Sequence, residues 1–243
     1  MVNISNSILF VVLIGLLLMC SCNDKRKNSF ETSAQTDKFS GNTIDVQKHG
    51  VPKFINVNYC ELEKVHRISK FRSSFGHDYS DDFEDCRSMK HYYEFHDSVN
   101  WSNVKIFSPL DGRITRIYNE WAGTKLQIQS KKHPAISIEI FHIDTIHTLY
   151  IGDTVKAGEL LGTHFGSQTD SDIAVGVQTP IGWKLVSYFS IMSDLLFLNF
   201  QARGISHRDS MLISKQQRDA DSLKCNGEQF QNRGALSQWM LLN

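Results

Sequence analysis

Apolar positions along this chain change their spacing several times, and each change marks an element. Between Asn58 and Gly76, Leu62, Val65, Ile68 and Phe71 recur every three residues, which predicts an amphipathic helix that stops at Gly76. From about residue 102 the period becomes two: Val104 and Ile106, Leu126 and Ile128, Ile136, Ile138 and Ile140, then Ile173, Val175 and Val177. The turn-rich stretches PLDG, WAG, KKHP and IGD separate these runs, so residues 102–180 read as a series of short strands. Helical spacing returns at Phe189, Met192, Leu195 and Leu196, with Gly204 as its stop, and Ser214 with Gln217 forms a capping box for a further helix. The expected fold class is mainly β with flanking helices, an antiparallel β-sandwich or roll.

The front of the chain has a different character. Ile8 to Met19 is a twelve-residue apolar run, short for a bilayer span and suited to the core of a signal peptide. It ends in LMCSC, which resembles a bacterial lipoprotein signal, although no Lys or Arg precedes the run. Cys22 is the expected lipidation site, because the small Ser21 precedes it whereas Cys20 follows Met19. An uncleaved anchor helix is the alternative. Both readings place the bulk of the protein outside the cytoplasm, in the cell envelope, periplasmic or on the surface. The organisation expected is a signal peptide over 1–21, a flexible polar tether over 22–50, a β domain with an N-terminal helix over 51–185, and a helical extension over 186–243.

The chain carries 26 basic and 26 acidic side chains, and this balance gives no electrostatic case for nucleic acid as a partner. The thiols of Cys60, Cys86 and Cys225 allow one internal disulfide, with the pairing open. The chain has no Cys-x-x-Cys metal spacing, no phosphate-binding glycine run and no G-x-S-x-G elbow.

The most specific stretch runs from Pro109-Leu110-Asp111-Gly112 to GDTVKAGELLG, residues 152–162. There Gly152 and Gly158 permit tight turns, while Val155 and the Leu160–Leu161 pair return to the core. This pattern resembles the β core, the duplicated hybrid motif, shared by lysostaphin-type (LytM-like) zinc endopeptidases, biotinyl or lipoyl carriers and sugar phosphotransferase IIA domains. A carrier needs a modified lysine with an M-K-M-like flank, which Lys131 and Lys132 lack. A cytoplasmic phosphotransferase domain would not follow a lipoprotein signal. The lysostaphin-type peptidases suit the expected compartment.

That resemblance gives meaning to FGHDYSDDFEDC, residues 75–86. In the family an H-x-x-x-D motif supplies two zinc ligands, and here His77 and Asp81 have that spacing. The bland alternative is a loop hydrogen bond between them. His142, in IFHID, falls where the family has a histidine within a Y-A-H-L-like strand, and is the expected catalytic candidate. The family's final H-x-H motif is replaced in SDIAVGV by Asp172 and Ala174, and a methyl group cannot bind zinc. Asp172 is a possible substitute ligand, and His91 or His164 could be recruited from elsewhere. The nearby Arg87, Lys90, His91, Tyr92 and Tyr93 either pair with the acidic loop or bind an anionic polymer.

The resemblance therefore implies an envelope lipoprotein with a degenerate peptidase domain, which binds peptidoglycan or regulates a cell-wall hydrolase. The alternative is an active zinc-dependent peptidoglycan endopeptidase with an unusual third ligand, in which His142 assists a zinc-bound water.

Overall fold

Val65 and Ile68 both turn inward although they lie three residues apart, because a register shift between Val65 and Arg67 inserts a bulge. This bulge explains why the helix expected over 62–71 is instead a 3-10 turn, Leu62–Lys64, running into strand β1, Val65–Ser69. In the computed structural model, which describes residues 38–243, twelve more strands follow. They are β2 (His91–Phe95), β3 (Lys105–Phe107), β4 (Gly112–Glu120) and β5 (Gly123–Ser130). Next come β6 (Ile136–Thr145), β7 (Thr154–Val155), β8 (Leu160–His164), β9 (Ser171–Thr179) and β10 (Gly182–Val186). The last three are short: β11 (Cys225–Asn226), β12 (Gln229–Phe230) and β13 (Trp239–Leu241). The architecture is mainly antiparallel β with a few helices, as the period-two runs predict.

The main sheet runs in the order β13-β1-β2-β9-β6-β5-β4-β7, with β10 also on β9 and the β3–β8 pair joined through β6. Strand β9 is its axis. One edge pairs with β6 along Ile173–Val177; the other pairs with β2 near Ser171 and with β10 beyond Val175. Alternation then divides its side chains between two faces. Ile173, Val175 and Val177 join Ile136, Ile138 and Ile140 of β6 in the main core, all fully buried. Asp172, Ala174 and Gly176 point the other way, and that face carries the cleft described below.

Helices α1 (Val46–His49), α2 (Tyr188–Ile191), α3 (Asp194–Gln201) and α4 (Lys215–Ala220) are short. Phe189, Ile191, Phe197 and Phe200 from the middle pair pack into the main core. The capping box expected at Ser214 and Gln217 forms at the start of α4.

Two boundaries differ from the sequence expectation. The signal run, Cys22 and most of the tether lie outside the described residues, but the chain is already packed by Ile44, which is buried and donates its amide to Gln178 O. The extension after residue 186 is not simply helical: β13 pairs with β1, and the Arg67 guanidinium lies 4.3 Å from the Trp239 ring centroid. Sequence spacing misses β13 because three residues at a sheet edge carry too little pattern. Cys86 and Cys225 form a disulfide across 139 residues and leave Cys60 as a buried thiol.

Replacing Cys225 by Ser should lower unfolding stability by about 2–5 kcal/mol, the usual range for a native crosslink. Urea unfolding of oxidised wild type and variant checks this; equal midpoints would show that the crosslink does not stabilise the fold.

Candidate functional site

The second face of β9 is divided along its length. At its far end the Trp183 ring covers Gly176, where an added Cβ would lie 1.6 Å from a ring carbon. In the middle, Ala174 packs with Phe71, Met89, Phe141 and Leu185 in a small apolar cluster. Only at Asp172 does the face turn polar, and above it opens a cleft of about 730 Å³. Its walls include His77, Tyr79, Lys125, His142, Asp170 and the indole of Trp121, which is 76% exposed.

Asp172 is completely buried and still ionised, and its partners explain why. The Lys90 ammonium, itself 1% exposed, forms an ion pair with one carboxylate oxygen. The His142 Nε2 lies 3.1 Å from the other. Burial alone would raise the Asp172 pKa; Lys90 and His142 outweigh it and hold the carboxyl below its ordinary range. Lys90 mirrors this, since burial would lower its pKa but Asp172 keeps it above the usual lysine value.

Backbone geometry brings His142 to this carboxylate. Between Ile140 and Ile143 the β5–β6 register shifts, and His142 takes a left-handed φ of 61°. A non-glycine residue there is strained by about 1 kcal/mol or more, and bulges of this kind re-aim side chains. The ring is held at both ends, with Nδ1 3.0 Å from Ala122 O and Nε2 at Asp172. A carbonyl and a carboxylate can both accept, so the surroundings favour the protonated ring. Burial pulls the His142 pKa down, but the bond to Asp172 prevails and raises it.

His77 faces the same ammonium from the opposite wall. Its Nδ1 donates to Asp78 O at 2.9 Å, which leaves Nε2 to accept from Lys90 Nζ at 3.2 Å. Burial, then the Lys90 charge, lowers its pKa, so this ring stays neutral. Aromatic faces complete the surround: Lys90 Nζ lies 4.1 Å from the Phe141 centroid and 4.9 Å from those of Tyr79 and Tyr92. Tyr79 is fixed in turn, donating to Glu139 Oε2 at 2.5 Å, while Gln127 donates to Glu139 Oε1 at 2.8 Å.

The structure places the two expected ligands in different surroundings. His77 lines the cleft, but both oxygens of Asp81 are spent elsewhere, accepting from the amides of Phe83 at 2.9 Å and Leu185 at 2.8 Å. Asp82 likewise accepts from Trp183 N at 2.6 Å. The acidic loop thus finishes the free edge of β10, and Glu84 within it is buried between Arg72 and Arg87. Of the proposed rescues, His91 is a core residue, held between Ser69 O at 2.7 Å and Ser187 Oγ at 2.8 Å. His164 is also buried, and burial depresses both rings to about 4. Asp172 and His142 do meet, although as an ion pair.

Zinc does not fit this arrangement. Among the described residues no group of three His, Cys, Asp or Glu side chains is placed to hold a metal ion. Ala174 offers a methyl group inside an apolar cluster, and the donors that do converge, His77 and Asp172, converge on an ammonium. A divalent ion there would meet a fixed positive charge. Sequence reading named Lys90 only within a basic and aromatic cluster, either pairing with the acidic loop or binding an anionic polymer; its signal is a lysine next to a strand, β2, in which every residue but Glu94 is buried.

Solved structures similar to this chain include several peptidases. A candidate glycyl-glycine endopeptidase LytM of Ruminococcus gnavus is 17% identical over 42% of this chain and 43% of its own, with a TM-score of 0.34. The SpoIIQ–SpoIIIAH pore-forming complex is 11% identical over 62% of this chain and 98% of its own, at 0.42. A zinc-containing peptidase of Vibrio cholerae is 15% identical over 54% and 41%, at 0.32. The chain spans less than half the length of either peptidase. These likenesses are partial and concern the fold alone. No protein-family model matches the chain, and no curated protein is similar to it in sequence.

Because its folded pKa is raised, His142 contributes stability that is full below the ordinary imidazole value and fades as pH rises through the raised one. His142→Gln should therefore cost about 1–2 kcal/mol at pH 5 and much less at pH 9. Urea midpoints across that range check it; a difference independent of pH would contradict the charged pair.

Proposed function

We propose that this chain is a cell-envelope lipoprotein whose peptidase-like domain binds the peptide part of peptidoglycan without cutting it. The observation that carries this reading is the Lys90–Asp172–His142 cluster. The cation at the floor of the cleft is a side chain of the protein, and the histidine expected to assist catalysis has both nitrogens committed. A ring whose two nitrogens lie against a carbonyl and a carboxylate is poorly placed to take a proton from water.

The cleft above remains a binding surface. Trp121, Tyr79 and Phe75 offer ring faces, and Lys125, Glu120 and Glu228 line the same opening, so charged and apolar parts of a peptide stem both find complements. The Cys86–Cys225 disulfide supports an oxidising compartment outside the cytoplasm, in keeping with lipidation at Cys22. Regulation of a cell-wall hydrolase is compatible with the same cleft, with the hydrolase presenting the peptide. The hydrolytic alternative requires a zinc ion where the Lys90 ammonium lies.

Co-sedimentation of the full chain with purified sacculi, with and without a chelator, tests the proposal. Binding should be unchanged by the chelator and release no soluble fragments, and Trp121→Ala should weaken it by about tenfold. Failure to sediment would refute the peptidoglycan reading, whereas wall solubilisation abolished by chelator would establish the hydrolytic one.

A further inference from the structure

The surround of Lys90 has a chemical character of its own. Three aromatic faces, one carboxylate and one neutral imidazole nitrogen enclose the ammonium, and the side chain reaches them from the residue just before β2. Ring faces suit an organic cation, which they attract through their quadrupoles, and give nothing to a metal ion that needs lone pairs. The two classes of cation therefore call for different walls, and here three ring faces stand beside only two lone-pair donors, Asp172 and His77.

We infer that this cage is an internal ammonium site, with Lys90 as its covalently attached cation: the charge that organises Asp172, His142 and His77 is supplied by the chain itself and not by a bound ion. The inference goes beyond the proposed binding function and does not depend on it, since it concerns what holds the cleft floor together. Asp172 is wholly buried, so an ion lost to a chelating or metal-poor medium would leave an uncompensated carboxylate. A tethered ammonium cannot be lost. His142 alone does not replace it, because its second nitrogen is anchored to Ala122 and its approach is limited to one oxygen of the carboxylate.

Lys90 is a positioning residue on this account, and chemical rescue separates that role from simple packing. Lys90→Ala removes three methylene groups and the ammonium, which together correspond to propylammonium. The variant should melt about 10 °C below wild type, the scale for stranding a buried charge in a domain of this size. Propylammonium at about 50 mM should return a large part of that loss by mass action, while 1-propanol at the same concentration should return little. Equal rescue by the alcohol, or none by the amine in a folded variant, would overturn the inference, as would wild type that binds zinc stoichiometrically with Lys90 in place.

Should Lys90→Ala fail to fold, Lys90→Met fills the same volume without charge. It should melt well below wild type, and adding Asp172→Asn should recover most of the difference, because the stranded anion is then gone. A double variant no more stable than Lys90→Met would equally overturn the inference. Both readouts are melting temperatures, so failure to bind peptidoglycan leaves them untouched.

Discussion

A carboxylate and an ammonium that meet away from water, Asp172 and Lys90, set the terms for the whole cleft face. Moving either ion alone into the interior costs several kcal/mol, and the pair is tolerated only where geometry and neighbours compensate both. Compensation here comes from many directions: the His142 ring, the His77 lone pair and three aromatic faces. These neighbours come from separate parts of the chain, the loop after β1, the strands β2, β6 and β9, and they meet only in the finished sheet. The pair thus belongs to the tertiary structure, and no local segment could support it.

The sheet explains how a polar cluster and an apolar core share one strand. β9 gives alternate residues to opposite faces, so Ile173 and Val175 fill the core while Asp172 serves the cleft. Below Asp172 the same face is closed, first by the apolar cluster around Ala174 and then by Trp183 over Gly176. The acidic loop holds that closure in place, because Asp81 and Asp82 accept the β10 amides. What opens to solvent is the upper end alone, where the strained backbone of His142 turns its ring onto Asp172.

Much of this was legible in the sequence. The period-two runs through Ile136–Ile140 and Ile173–Val177 mark the two central strands, and the loss of donor capacity at Ala174 is visible in SDIAVGV. Spacing failed where a bulge mimicked a helix, at Val65 and Ile68. The H-x-x-x-D spacing of His77 and Asp81 does not reveal that a backbone turn at Phe83 draws Asp81 toward β10. Lys90 was the hardest to find. Its neighbours in sequence suggest a cluster that pairs with the acidic loop or binds an anionic polymer, and only the fold shows that its side chain points inward to a carboxylate some eighty residues further along.

These features give a consistent picture of an antiparallel β fold whose cleft keeps a positive charge at its floor without borrowing one from solution. The most direct measurement is a crystal structure of the protein soaked in zinc, with anomalous data collected at the zinc edge. The account predicts continuous density for the Lys90 side chain reaching Asp172 and no anomalous peak among His77, His142 and Asp172. A peak there, with Lys90 displaced toward solvent, would contradict it.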